Sequence, residues 1–269
     1  MVNKGSLKDI LFSKVKYFIK TVVPSSILRN VNNKMEFARY TGSVALRLWG
    51  QYQPSSLCPV CGFQGYFKAW GHPPRYGALC PACGSLERHR LLILANQKYS
   101  YFNDKDVLHF APEPMIIPVI SRYAKKYVSA DLQADRAMLQ LNIENISLAS
   151  NSFDVVLISH VLEHVDDVVA LKELYRIIRN EGKLLVMVPM IEGWSNTYEN
   201  HSIKSEFGRY IHFGQEDHVR FYGQDIRNRV ENAGFAIEEE ITAFGADVVT
   251  YSLWRGEKLF VFKRKNGVL

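Results

Sequence analysis

Residues 141–165 constrain the fold more than any other part of this chain. A polar turn ends at Asn151-Ser152, Phe153-Asp154 opens a strand, and Val155 to Ile158 is continuously apolar. An apolar run without polar alternation fits a central parallel strand buried on both faces. Ser159, His160, Glu163 and His164 follow directly. In open α/β sheets, ligands bind outside that end of the strands. The segment therefore predicts both a sheet centre and a ligand-facing edge.

The pattern around it repeats the same idea. From about residue 105, strand and helix signals alternate: a strand at Val107–Phe110, a helix from about Pro114 to Lys125, a strand at Tyr127–Ala130 ending at Asp131. After the central strand come a helix from about Asp167 to Arg179, a strand at Lys183–Val188 introduced by Gly182, and a helix from about Gln224 to Asn232. Strands over roughly Phe235–Ile241 and Lys258–Phe262 close the chain as an antiparallel pair at a sheet edge. Alternation of this kind implies an α/β fold with a mostly parallel sheet covered on both faces.

Three regions are expected: a basic N-terminal helical arm (1–57), a cysteine module (58–90), and the α/β domain (91–269). Residues 1–57 hold nine Lys/Arg against two Asp/Glu, whereas residues 58–269 hold 24 against 25. The basicity thus belongs to the arm. Ile10, Leu11, Val15, Phe18 and Ile19 recur at helical spacing among lysines up to Pro24. Such a helix suits either an anionic membrane surface or a place on the body with its lysines solvated. No run of eighteen apolar residues marks a membrane span, and intermixed lysines near the start argue against a signal peptide. A cytoplasmic protein, with peripheral membrane contact through the arm, is the expectation.

Cys58-Pro-Val-Cys61-Gly62 is followed by Cys80-Pro-Ala-Cys83-Gly84. This spacing is that of a zinc site. Two residues between cysteines let both thiolates converge on one ion, and four thiolates close the shell, which makes the zinc structural.

Five pieces occur in order along residues 105–190: Asp106-Val107-Leu108, Ser129-Ala130-Asp131-Leu132, Asn151-Ser152-Phe153-Asp154-Val155-Val156, Val161-Leu162-Glu163-His164-Val165 and Leu174-Tyr175-Arg176-Ile177-Ile178-Arg179-Asn180-Glu181-Gly182-Lys183. Through them this stretch resembles a class I S-adenosylmethionine-dependent methyltransferase of the type 11 kind. The resemblance implies a Rossmann-like, mostly parallel seven-stranded sheet with helices on both faces. The cysteine module and Gly214-Gln215-Glu216-Asp217-His218-Val219-Arg220 also resemble a bacterial subgroup of that family, which suggests a small-molecule or glycan acceptor.

The implied cofactor site has chemical reasons at each position. Asp131 ends a strand, where a carboxylate accepts both hydroxyls of a ribose diol. Asn142 matches the family's adenine-contacting position, and its amide oxygen can accept the adenine amine. The first loop, His109-Phe110-Ala111-Pro112-Glu113-Pro114, departs from the family: it has no glycine, and two prolines remove backbone donors. Ala111 is its one small residue, and Glu113 suits the cofactor's amino group. Ser159 and His160 complete the set.

His160-Val161-Leu162-Glu163-His164 also spells H-x-x-E-H, an inverted zinc-protease signature. That motif needs a helix, and here a buried strand runs directly into His160, so no metal role is expected of it. For methyl transfer to an alcohol, His160, His164, His212 and His218 are general-base candidates, with the best placed being His160, His164 and His218. The long polar and aromatic tract 191–222 is expected to form a lid or acceptor insertion. Two alternatives stand beside this reading. An RNA methyltransferase is disfavoured by the near-neutral body, and a non-catalytic partner-binding protein would carry a degenerate cofactor fold.

Overall fold

The computed structural model describes Lys34, Ala38, residues 55–71 and residues 74–265. Nearly all of the basic arm lies outside these residues. Two compact units are present, Met1–Gln53 with Lys68–Tyr76, and Pro54–Phe67 with Gly77–Leu269. In the first, Lys34 and Ala38 are helical and Lys68–Trp70 is a short strand. The second carries both the cysteine pairs and the α/β body.

Seven strands form one sheet: β1 (Asp106–Phe110), β2 (Lys126–Asp131), β3 (Leu139–Gln140), β4 (Phe153–Ser159), β5 (Ile178–Met187), β6 (Phe235–Thr242) and β7 (Lys258–Arg264). Their spatial order is β6-β7-β5-β4-β1-β2-β3. Strands β1 to β5 pair in parallel, and β7 runs antiparallel to both β5 and β6. This is the Rossmann-like sheet expected from the sequence, with the closing antiparallel pair at one edge. The helices are α1 (Glu87–Tyr99), α2 (Ile117–Tyr123), α3 (Asp167–Ile177), α4 (Glu206–Phe213), α5 (Ile226–Asn232) and α6 (Ala246–Thr250). Among the described residues, no helix is long and apolar enough to cross a membrane.

Strand alternation sorts the core into two halves. Val107, Val155, Leu157, Leu185 and Val261 face one side, packed with Leu91, Leu92 and Ala95 of α1 and Ile120 of α2. Leu108, Val156, Ile158, Leu184, Val186 and Phe260 face the other, packed with Leu171 and Leu174 of α3 and Val230 of α5. Each fully buried aliphatic side chain contributes roughly 1.5–3 kcal/mol. Both faces of β4 are covered, which is why its sequence shows no polar alternation.

The helix expected to reach Arg179 stops at Ile177, because Ile178 already pairs with Phe153 in the sheet. A Cβ at Gly182 would lie 2.9 Å from the Asp154 carbonyl and 2.8 Å from that of Arg179. Only glycine lets the chain pass there as it turns into the long part of β5.

Candidate functional site

The strand order reverses between β1 and β4. From β1 the chain moves outward to β2 and β3, and β4 then returns to the other side of β1. A crevice opens at such a switch point, outside the C-terminal ends of the strands. Two non-glycine residues leave those ends in the left-handed region. Ala111 follows β1 with φ 48°, and its N–H donates to the Ala130 carbonyl at 2.9 Å. His160 follows β4 with φ 56°, and its N–H donates to the Met187 carbonyl at 2.8 Å. A side chain in this conformation costs roughly 1–2 kcal/mol that glycine would not. Strain of this kind clusters at functional sites.

Glu113 follows β1 and gathers donors from α1, β1 and β4. Its Oε1 lies 3.1 Å from His89 Nε2, 3.3 Å from Ser159 Oγ and 3.5 Å from Arg88 Nε, and its Oε2 lies 3.2 Å from His109 Nε2. The ring protons can be placed from the neighbours. The Leu86 N–H donates to His89 Nδ1 at 3.0 Å, so the proton of a neutral His89 sits on Nε2 and points at Glu113. Tyr127 Oη lies 3.0 Å from His109 Nδ1, so a neutral His109 likewise donates through Nε2. Burial alone would raise the Glu113 pKa, but the hydrogen bonds from His109 and His89, and their charge interactions, hold it well below the usual carboxylate range. Burial pushes the His89 pKa down, against the pull of Glu113. Burial also pushes the Tyr127 hydroxyl above its usual range, keeping it a donor.

At the far side of the crevice, Asp131 ends β2 and Asn142 follows β3. The Leu141 N–H donates to the Asp131 carbonyl at 2.9 Å, which holds the two stretches together. Asp131 Oδ1 accepts the Gln133 N–H at 2.8 Å, and Asn142 Oδ1 accepts the Glu144 N–H at 2.9 Å. Each side chain therefore gives one acceptor position to its own turn.

Beyond β4, Leu162–His164 makes a single 3₁₀ turn. His160 and His164 therefore do not share a helix face, and the protease arrangement is absent. Instead, His164 meets His218, with ring centroids 4.7 Å apart and planes at 81°. The tract 191–222 brings His218 there by docking on this turn. Tyr198–Glu199 pairs with Arg220–Phe221, the Val219 N–H donates to the Glu163 carbonyl at 2.9 Å, and Arg220 Nη1 donates to the carbonyls of Leu162 (2.7 Å) and Val165 (2.6 Å). His164 also lines a cleft of about 390 Å³ with His201, Glu199, Arg220 and Arg229. His212 stands apart, bonded to the Tyr198 hydroxyl at 2.6 Å on the exposed side of α4.

The four cysteines converge as the spacing predicts. Cys58 Sγ lies 3.7 Å from Cys83 Sγ, and Cys61 Sγ lies 3.8 Å from Cys80 Sγ. A tetrahedron with zinc–sulfur bonds of about 2.3 Å has edges of about 3.8 Å, so the sulfur spacing suits that ion. The two pairs share one backbone design: Gly62 N–H donates to the Cys58 carbonyl (2.8 Å) and Gly84 N–H to the Cys80 carbonyl (3.0 Å), with both glycines at positive φ. Residue 90, where the module was expected to end, lies inside α1. Arg90 is fully buried and donates to the carbonyls of Ala78 (3.0 Å) and Ser85 (2.7 Å) on the module side and to those of Tyr251 (2.8 Å) and Ser252 on the body side.

The structure thus brings His109, Glu113 and Ser159 into one network and His160, His164 and His218 into a second region. Asp131 and Asn142 sit at the ends of neighbouring strands, and Ala111 beside them. Sequence reasoning missed Arg88, His89 and Tyr127. They come from α1 and β2, and no local motif marks them.

Comparison with known proteins bears on the α/β body. Residues 116–186 match the family model described as a methyltransferase domain. An uncharacterized protein of Methanocaldococcus jannaschii is 49% identical over 47 residues, 18% of this chain and 21% of its own length. The ubiquinone/menaquinone biosynthesis C-methyltransferase UbiE of Rhizobium meliloti is 27% identical over 150 residues, 50% of this chain and 56% of its own. The chain therefore spans about a fifth and just over half of these two relatives. A chain from the complex between a Haloferax volcanii methyltransferase activator and a methyltransferase candidate is 12% identical with a TM-score of 0.50, covering 67% of this chain and 91% of the other. That likeness is one of fold.

Proposed function

We propose that this protein transfers the methyl group of S-adenosylmethionine to a small-molecule or glycan acceptor. The observation that carries the reading is the reversal of strand order between β1 and β4, with Ala111 in the left-handed region after β1 and a carboxylate at the end of β2. The methyltransferase-domain match over residues 116–186 supports it.

When bound, the cofactor supplies an electrophilic methyl on a sulfonium. The chain's own residues position it. Asp131 accepts the ribose hydroxyls through the oxygen not used by Gln133, and Asn142 meets the adenine edge. Ala111 lets the backbone approach closely despite the missing glycine, since its side chain is a single methyl. Glu113, held by Arg88, His89, His109 and Ser159, keeps acceptor capacity on Oε2 for the cofactor's ammonium. His109 is fully buried, so it acts by positioning Glu113. Transfer then rests largely on alignment of the acceptor with the methyl carbon. A neutral imidazole among His160, His164 and His218 takes the acceptor's proton, with tract 191–222 covering the site. The balance of 24 Lys/Arg against 25 Asp/Glu over residues 58–269 favours a small acceptor over RNA.

Cys58, Cys61, Cys80 and Cys83 hold a structural zinc in the same proposal, supported by the sulfur spacing. Calorimetric titration with S-adenosylmethionine and with its demethylated product tests the cofactor claim. Binding of both is expected, and binding of neither overturns it.

A further inference from the structure

One buried carboxylate makes no hydrogen bond among the described residues. Glu163 is 0% exposed, and neither of its carboxylate oxygens has a hydrogen-bond partner. Its close polar neighbour is His160 Nδ1, 3.2 Å from Oε1. An ionised carboxylate without hydrogen bonds costs several kcal/mol to bury, and such groups in a native fold point to a missing ion or water.

Ligand atoms of Glu163, His164 and His218 lie within 4.8 Å of one another. Contacts at Nδ1 of both imidazoles, a hydrogen bond for His218 and an ion-pair contact for His164, leave Nε2 unused. His218 Nδ1 is 3.2 Å from the Phe213 carbonyl, which only accepts, so Nδ1 carries the proton and Nε2 the lone pair. His164 Nδ1 is 3.3 Å from Asp217 Oδ2, which fixes the same tautomer when the imidazole is neutral. Ring N–H groups held by a carbonyl and a carboxylate are the outer-shell partners that metal-ligating histidines regularly have.

We propose that Glu163 with the Nε2 atoms of His164 and His218 binds a divalent first-row transition ion, distinct from the ion of the four cysteines. Two imidazoles and one carboxylate suit zinc, iron or cobalt in the divalent state and leave coordination positions open. The ion neutralises the Glu163 charge and joins the turn after β4 to the tract that carries His218. With the ion bound, the Nε2 lone pairs of His164 and His218 are occupied, so His160 is the one of the three imidazoles left to take the acceptor's proton. That role, and the ion's in binding the acceptor oxygen and lowering its pKa, rest on the methyl-transfer reading; the metal site itself does not.

The test is titration of the zinc-loaded full-length protein with Co²⁺, followed by calorimetry and visible absorption. One additional Co²⁺ per chain is expected, with ligand-field bands and without thiolate-to-cobalt charge transfer. Glu163→Gln and His218→Gln should each weaken it by more than about 100-fold, beyond the 10–100-fold typical of an outer-shell change. Asp217→Asn, a substitution on an exposed side chain, should weaken it by about tenfold. Glu163→Gln is near-isosteric and removes a buried charge, so it should fold. Absence of a nitrogen–oxygen cobalt spectrum in the wild-type protein, or unchanged affinity in Glu163→Gln, overturns the site. S-adenosylmethionine titrated into the same sample separates the two claims: Co²⁺ binding without cofactor binding leaves the site standing and removes only its role in methyl transfer.

Discussion

Ser159 Oγ donates to Glu113 Oε1 across 3.3 Å, so the loops leaving β1 and β4 are tied together through a single carboxylate. That carboxylate also takes the ring N–H groups of His89 and His109. The acid dependence of stability follows. Both Glu113 and His89 have pKa values lowered by the fold, so each binds its proton more tightly when the chain unfolds. Their contribution is complete above about pH 6.5 and drains as pH falls, first through the histidine range and then below about pH 4.3. Glu113→Gln sets an amide against several donors and should cost about 3 kcal/mol at neutral pH. Denaturant unfolding from pH 7 down to about pH 3 should show that cost, together with a flatter slope below about pH 4.3 in the variant. An equal slope in both proteins would assign the acid loss to other carboxylates.

Ala111→Gly relieves a side chain from the left-handed region. Allowing for the extra freedom glycine gives the unfolded chain, stability should rise by about 0.5–1 kcal/mol. Ala111→Val should do the opposite and block cofactor approach. Chemical unfolding and calorimetry read the two effects separately.

Asp131→Ala should lower affinity for S-adenosylmethionine by at least about tenfold, the equivalent of losing one charged hydrogen bond. Asn142→Ala should lower it less. Unchanged affinity in Asp131→Ala would rule out the ribose assignment, since the side chain stands at a half-buried strand end and its one hydrogen bond among the described residues is to the nearby Gln133 N–H.

Elemental analysis after mild chelation should find about one zinc per chain, and Cys58→Ser combined with Cys80→Ser should remove it. Arg90→Met should cost about 4 kcal/mol, because the carbonyls of Ala78, Tyr251 and Ser252 lose this donor and that of Ser85 keeps only the Cys80 N–H. Thermal unfolding checks the loss.

The sheet was legible because its strands are apolar runs buried on both faces, β4 most clearly. Strand β3 was not, since Leu139–Gln140 is two exposed residues long. Helix α1 escaped because His89, Arg90 and Asn96 occupy buried positions that a periodic helix fills with apolar residues. The site divides in the same way. Asp131 and Ala111 could be placed because position after a strand implies a role. The contacts of His89 with Glu113 and of His164 with His218 could not, because they join separate elements and leave no trace in local spacing.

Arg90 gives the cysteine module a particular evolutionary standing. Its guanidinium is shared between carbonyls that precede the sheet and carbonyls that come near the end of the chain, at Tyr251 and Ser252. The module therefore does not behave as a cassette. Moved to another chain, it would leave behind the acceptors that satisfy this cation, and the donor protein would keep carbonyls facing nothing. Removing the cysteine module would therefore require position 90 and the turn at Tyr251-Ser252 to be rebuilt as well.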